Sequence, residues 1–165
     1  MTDPAHPTPS GDGRGETPNE RSDRNWDEIL QELRVTQTGT QIISGFLLAI
    51  VFQQRFSELN GFQVTVYLVL VVLAASATAV GLAPVSLHRT LFRRHEKEWM
   101  VMVGNRLLKV TLLLVALLTA GVVLFIFDVV AGLLAGIIAG TAIFVLLVVV
   151  LVVLPRSARH HTPTQ

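Results

Sequence analysis

The stretch VTLLLVALLTAGVVLFIFDVVAGLLAGIIAGTAIFVLLVVVLVVL (residues 110–154) carries Asp128 as its only charge in 45 residues. As one straight helix at about 1.5 Å per residue it would be roughly twice as long as the hydrocarbon core of a bilayer, about 30 Å, is thick. The chain must therefore fold back within it. Asp128 is the expected corner, because a carboxylate between Phe125-Ile126-Phe127 and Val129-Val130 costs least where water reaches it. The stretch thus reads as a membrane hairpin of two helices, about residues 107–127 and 129–154.

Working outward, the composition agrees with that solvent. Of 165 residues, 51% are hydrophobic and the mean hydropathy is +0.56, although the first 25 residues are polar. These values define an integral membrane protein. Cysteine is absent, which excludes disulfides, thiolate metal sites and cysteine nucleophiles. Residues 1–24 have no apolar stretch, so a secretory signal is not expected there. They are rich in Pro, Gly, Ser, Thr and both signs of charge, and residues 1–25 are expected to form a disordered cytoplasmic tail. Asn25 is the expected cap of a helix starting at Trp26, with Glu28 at its third position. Trp26, Ile29, Leu30 and Leu33 recur at helical spacing, so residues 26–35 read as an amphipathic lead-in helix lying in the membrane interface and running into the first span.

Four spans follow, at about residues 37–56, 64–87, 107–127 and 129–154, giving an all-α, four-transmembrane-helix bundle. The first is the least apolar. Its polar stripe, Arg34, Gln37, Gln41 and Ser44, is expected to face the bundle interior. The second carries small pairs four apart, Ala74/Thr78 and Ala77/Gly81, and a proline, Pro84, that can kink its last turn. The fourth carries Gly132, Gly136 and Gly140, a run that suits close helix packing within the bundle or in a homo-oligomer.

Charge sets the orientation. Of 13 Lys and Arg, only Arg55 falls in a loop opposite the basic segment 88–109, the N-terminal tail and residues 156–165. The positive-inside rule then places both termini in the cytoplasm of a bacterial cell, with the loops at 57–63 and Asp128 outside. Leu91, Phe92, Trp99, Met100 and Met102 alternate with the basic residues of 88–109, so this loop is expected to lie on the anionic inner leaflet.

The strings ELRVTQTGTQ (residues 32–41), FLLAIVFQQRF (46–56), APVSLHRTLF (83–92) and Gly104-Asn105-Arg106 carry a resemblance. The chain resembles a family of small bacterial four-helix membrane proteins of unknown function, whose members are often labelled sodium:proton antiporters. The resemblance spans roughly residues 26–154 and implies kinship without an activity.

The sharpest candidate site is a polar cluster at the cytoplasmic ends of three spans: Glu32, Arg34, Gln37 and Gln41, then His88 and Arg89, then Asn105 and Arg106. Glu32 and His88 could form a proton-titrating pair, with Arg34, Arg89 or Arg106 binding an anion or tuning it. The same residue types also anchor helix ends to headgroups, and that plainer reading weighs more. Antiport needs an ion ligand near the bilayer midplane, and Asp128, Glu58 and Glu32 all fall near span ends. His160 and His161, in a Pro/Thr-rich tail, read as solvated. No metal or cofactor is expected, no catalytic constellation or phosphate loop is present, and nothing suggests nucleic acid. The expected role is a non-enzymatic interaction or accessory protein, partnered by the bilayer and by a membrane protein or a second copy; a small oligomeric cation/proton transporter is the alternative.

Overall fold

The computed structural model describes residues 17–91, 97–154 and 156. The described residues form four helices and no strand: α1 (Pro18–Ile50), α2 (Gly61–Leu91), α3 (Lys97–Ala131) and α4 (Leu133–Val148). A 3-10 turn, Gln54–Glu58, joins α1 to α2, and α4 continues into a π-helical turn, Val149–Val153. Three helices are long and apolar enough to cross a membrane, over Gly61–Ser86, Val101–Ala131 and Leu133–Val153.

The first helix starts earlier than Trp26. Thr17 caps it in a reciprocal box: the Thr17 hydroxyl accepts from the Glu20 amide at 3.3 Å, and Glu20 accepts from the Thr17 amide at 2.8 Å. Pro18 follows the cap, where its missing N–H costs nothing. These bonds hold the Glu20 carboxyl below its ordinary pKa, first through the Thr17 backbone and then through its hydroxyl. The lowered value means that the box strengthens the helix above the ordinary carboxylate range and loses that contribution as pH falls through it. The expected disordered tail is thus corrected over residues 17–25, while residues 1–16 lie outside the described part.

From Pro18 the helix runs unbroken for 33 residues, about 50 Å. The lead-in is not a separate element: it is the first half of α1 and packs against α3. The reason is a seven-residue repeat. Trp26, Leu33, Thr40 and Leu47 are all buried, and Ile29 lies between the first two on the same stripe. Helix α3, 35 residues long, runs parallel to α1 and makes the central element, packed against α1, α2 and α4. It takes up residues 97–109, which by their charge are expected to be loop. Around it one core joins Leu47 of α1, Tyr67, Leu70 and Ala74 of α2, and Leu118 and Phe125 of α3. The Tyr67 hydroxyl donates to the Leu47 carbonyl at 3.0 Å, which satisfies a buried polar group at that level.

The corner between α3 and α4 is Gly132, not Asp128. Gly132 has φ +91°, a conformation open to glycine and strained for other residues, and it allows α4 to start after a single residue. Asp128 remains on α3 and is 7% exposed, packed against Gly136. A Cβ on Gly136 would lie 2.7 Å from the Leu124 carbonyl oxygen, and one on Gly140 would lie 2.8 Å from Leu124 Cβ. These two glycines let the backbones of α3 and α4 touch, whereas Gly132 has open space around it. The packing run of three is therefore a packing pair and a turn.

Candidate functional site

The candidate cluster falls at the end where the first turns of α1 and α3 lie together. Two contacts fix this pairing. The Trp26 ring lies over Gly104, where a Cβ would come within 2.7 Å of Trp26 Cζ3. Below it Ile29, Leu33 and Leu108 form a small buried cluster with Val101 and Leu112 around it. Beside this cluster a cleft of about 540 Å³ opens between the helices, lined by Glu28, Gln31, Glu32, Val35, Thr36, Leu108 and Leu112.

Glu32 lines that cleft and is exposed. Glu28, in the same cleft, forms an ion pair with Arg24 one turn away at 3.1 Å. Gln37 sits on the other side of α1, between it and α2: a Cβ on Gly81 would lie 2.9 Å from Gln37 Nε2. That Nε2 is buried and has no hydrogen-bond partner among the described residues. Arg34, Gln41, Asn105 and Arg106 are all exposed. His88 and Arg89 belong to the last turns of α2, and their side chains lie outside the described residues. The geometry therefore brings Glu32 into one cleft and Gln37 into a different contact, and leaves Arg34, Gln41, Asn105 and Arg106 on the outside.

The expected inward polar stripe is likewise divided. Gln37 and Ser44 are partly buried, while Arg34 and Gln41 are exposed; the buried polar residue of this stretch is Thr40, which lies off that stripe. A different device satisfies the polar side chains of this part of α1. Each hydroxyl donates to a carbonyl one turn back in its own helix: Thr36 to Glu32 at 2.8 Å, Thr38 to Arg34 at 3.0 Å, Thr40 to Thr36 at 2.9 Å and Ser44 to Thr40 at 2.8 Å. Thr65, Thr78, Thr111 and Thr119 do the same in α2 and α3. These polar side chains thus need no partner helix.

Opposite this end, Arg55 pairs with Glu58 at 3.6 Å, and Phe56 meets the Tyr67 ring edge-on at 5.1 Å. Among the described residues no group of three His, Cys, Asp or Glu could hold a metal ion. The Trp26–Gly104 and Gln37–Gly81 contacts escape sequence reasoning, because a glycine that receives a bulky side chain from another helix looks like any other glycine in one dimension. The start of α1 does carry a readable signal, Thr17-Pro18-x-Glu20.

Four helices, three of them of membrane-crossing length and composition, with hydroxyls returned to their own backbone, define a membrane-embedded all-α protein. The chain belongs to a family of unknown function, DUF6328, which it matches over residues 15–155. That match carries no activity with it. No curated protein and no solved structure matches the chain.

Proposed function

We propose that the chain is a four-span protein of the bacterial cell membrane, with both termini cytoplasmic, that acts without catalysis as an accessory protein and binds a membrane-protein partner through its basic end. The observation that carries this reading is the helical arm formed by α1 and α3. Each helix is about 50 Å long, roughly 20 Å more than a hydrocarbon core is thick. Their first turns are held together by Trp26 on Gly104 and by the Ile29, Leu33 and Leu108 cluster. A rigid pair extending beyond the spans, with Glu28, Gln31 and Glu32 along its cleft, presents a fixed polar surface that anchoring alone does not require. The pairing of Gln37 with Gly81, and of Leu47 with Tyr67 and Leu70, supports the fourth span, since it sets the second half of α1 beside the apolar length of α2. The confinement of all Lys and Arg but Arg55 to one end supports the orientation.

The test is a photo-crosslinking amino acid at Gln31, in native membranes, with Glu32→Arg as the control. A discrete protein adduct that Glu32→Arg removes supports the partner site. A second reading, cation/proton transport, is favoured by one observation, the burial of the Asp128 carboxylate within an apolar helix pair. Its position one turn before Gly132 argues against exposure to alternate sides. Sodium-dependent proton flux in proteoliposomes, abolished by Asp128→Asn and accompanied by no adduct at Gln31, would replace the first reading with this one.

A further inference from the structure

Helices α3 and α4 touch near their turn, and toward the basic end a groove lies between them. Contact is set by Gly136 and Gly140, the latter within reach of the Ala120 carbonyl and Leu124. Four residues on, the same stripe of α4 carries Phe144, then Leu147 and Leu151, side chains too large for the backbone contact that the glycines allow. The groove left between them has a volume of about 390 Å³, within the range of small-ligand sites, roughly 300–1,000 Å³. Leu113 and Ala116 wall it on the α3 side. The π-helical turn of α4, Val149–Val153, falls along this stretch, and such turns are rare and recur at functional sites.

Two cations line the same groove, Lys109 from α3 and Arg156 beyond α4, and both are exposed. From Phe144 to Arg156 the axis rises about 18 Å, and from Ala116 to Lys109 about 10 Å. One leaflet of a 30 Å core is about 15 Å deep. The groove is thus apolar over the depth of one leaflet and cationic at the level of the headgroups. That combination fits an amphiphile with a hydrocarbon chain and an anionic phosphate head. Basic pockets between membrane helices on the cytoplasmic side recognise such heads. A zwitterionic lipid would fill the apolar part equally well but would gain little from the two cations.

We propose that the groove between α3 and α4 is a binding site for an anionic phospholipid, with Lys109 and Arg156 at the phosphate and an acyl chain between Leu113, Phe144 and Leu151. The proposal rests on the orientation given above, which sets this end at the anionic leaflet. It goes beyond general attraction to that leaflet, because it assigns one lipid a place and two named cations.

The test is native mass spectrometry of the full chain in neutral detergent, titrated with phosphatidylglycerol and with phosphatidylcholine of identical chains. The protein should retain phosphatidylglycerol in preference. Lys109→Gln with Arg156→Gln should weaken that binding roughly thirtyfold and leave phosphatidylcholine unchanged, given about 1 kcal/mol per cation at an anionic surface. The charge-conserving pair Lys109→Arg with Arg156→Lys should keep the preference, as should Arg55→Gln at the other end. Equal retention of the two lipids, a preference that survives the double glutamine variant, or a dimer mass that displaces lipid overturns the site. Orientation is read separately. The chain has no cysteine, so Gln31→Cys and Ser57→Cys can each be labelled from one side of sealed cells. Outward labelling of Gln31→Cys refutes the orientation while the detergent titration still decides the site.

Discussion

At the scale of single residues, glycine separates into three roles that its letter does not reveal. Gly136 admits the Leu124 carbonyl, Gly132 supplies a positive φ, and Gly39, exposed on α1, has nothing within 4 Å of where a Cβ would stand. The run of glycines four apart is legible as a packing motif, yet only contact with α3 distinguishes the pair that packs from the one that turns. Substitution to alanine should therefore change sign along the chain. Gly136→Ala must push α4 from the backbone of α3 and should destabilise the detergent-solubilised protein by about 1–3 kcal/mol. Gly39→Ala adds a methyl in open space inside a helix and should stabilise it by about 0.5–1 kcal/mol. Denaturant unfolding followed by circular dichroism measures both, and equal effects would mean that the α3–α4 contact is not made by Gly136.

Asp128 shows the same limit. An acid in an apolar run reads as a corner because charge seeks water. In the fold the corner goes to Gly132, which turns without strain, and Asp128 is covered by the facing glycine instead.

At the scale of elements, α2, α3 and α4 are legible because unbroken apolar length is itself the condition for crossing a bilayer. Helix α1 is legible only in pieces. Its polar segment hides the continuity, since TQTGTQ looks like an interruption until its hydroxyls are seen to donate to the carbonyls one turn back. The apolar spacing of Trp26, Ile29 and Leu33 is plain in one dimension, but the repeat passes next through Thr40, a polar letter that hides its continuation to Leu47. Two substitutions on α1 separate a packed arm from a helix floating in the interface. Leu33 is 3% exposed and Val35 71% exposed. Leu33→Ala should cost about 2–5 kcal/mol, and Val35→Ala less than about 0.5 kcal/mol. A surface helix that merely dips its apolar face into lipid would not produce that contrast in the same unfolding measurement.

The candidate site is legible as residue types sharing one end of the molecule, but not as a constellation. Helical phase decides which polar residues meet, and a drift of one residue moves a side chain by about 100° around the axis. That drift puts Glu32 in the α1–α3 cleft, Gln37 against Gly81, and Arg34 and Gln41 on the outer surface.

At the scale of the whole molecule, the hub is α3. Helices α1, α2 and α3 share the core of Leu47, Tyr67, Leu70, Ala74, Leu118 and Phe125, while the buried residues of α4 are Gly136 and Gly140 alone, both against α3. The buried residues that hold the α1–α3 arm together thus come from α1 and α3, and a chain ending at Ala131 should keep it. Trp26 reports this directly. It is 5% exposed, and with Trp99→Phe it becomes the one tryptophan of the two in the chain. In that background the truncated and full-length proteins should share a blue-shifted emission maximum and the same low quenching by acrylamide. The polar group newly uncovered would be Asp128, near the end of α3, where headgroups and water can solvate it at little cost. A red shift on truncation would show that α4 supports the arm from across the bundle, and the division into a three-helix core with α4 laid against it would fail. An unchanged spectrum would mean that the arm holds its shape without α4, so that whatever occupies the α3–α4 groove could be exchanged without disturbing the surface that Glu28, Gln31 and Glu32 present.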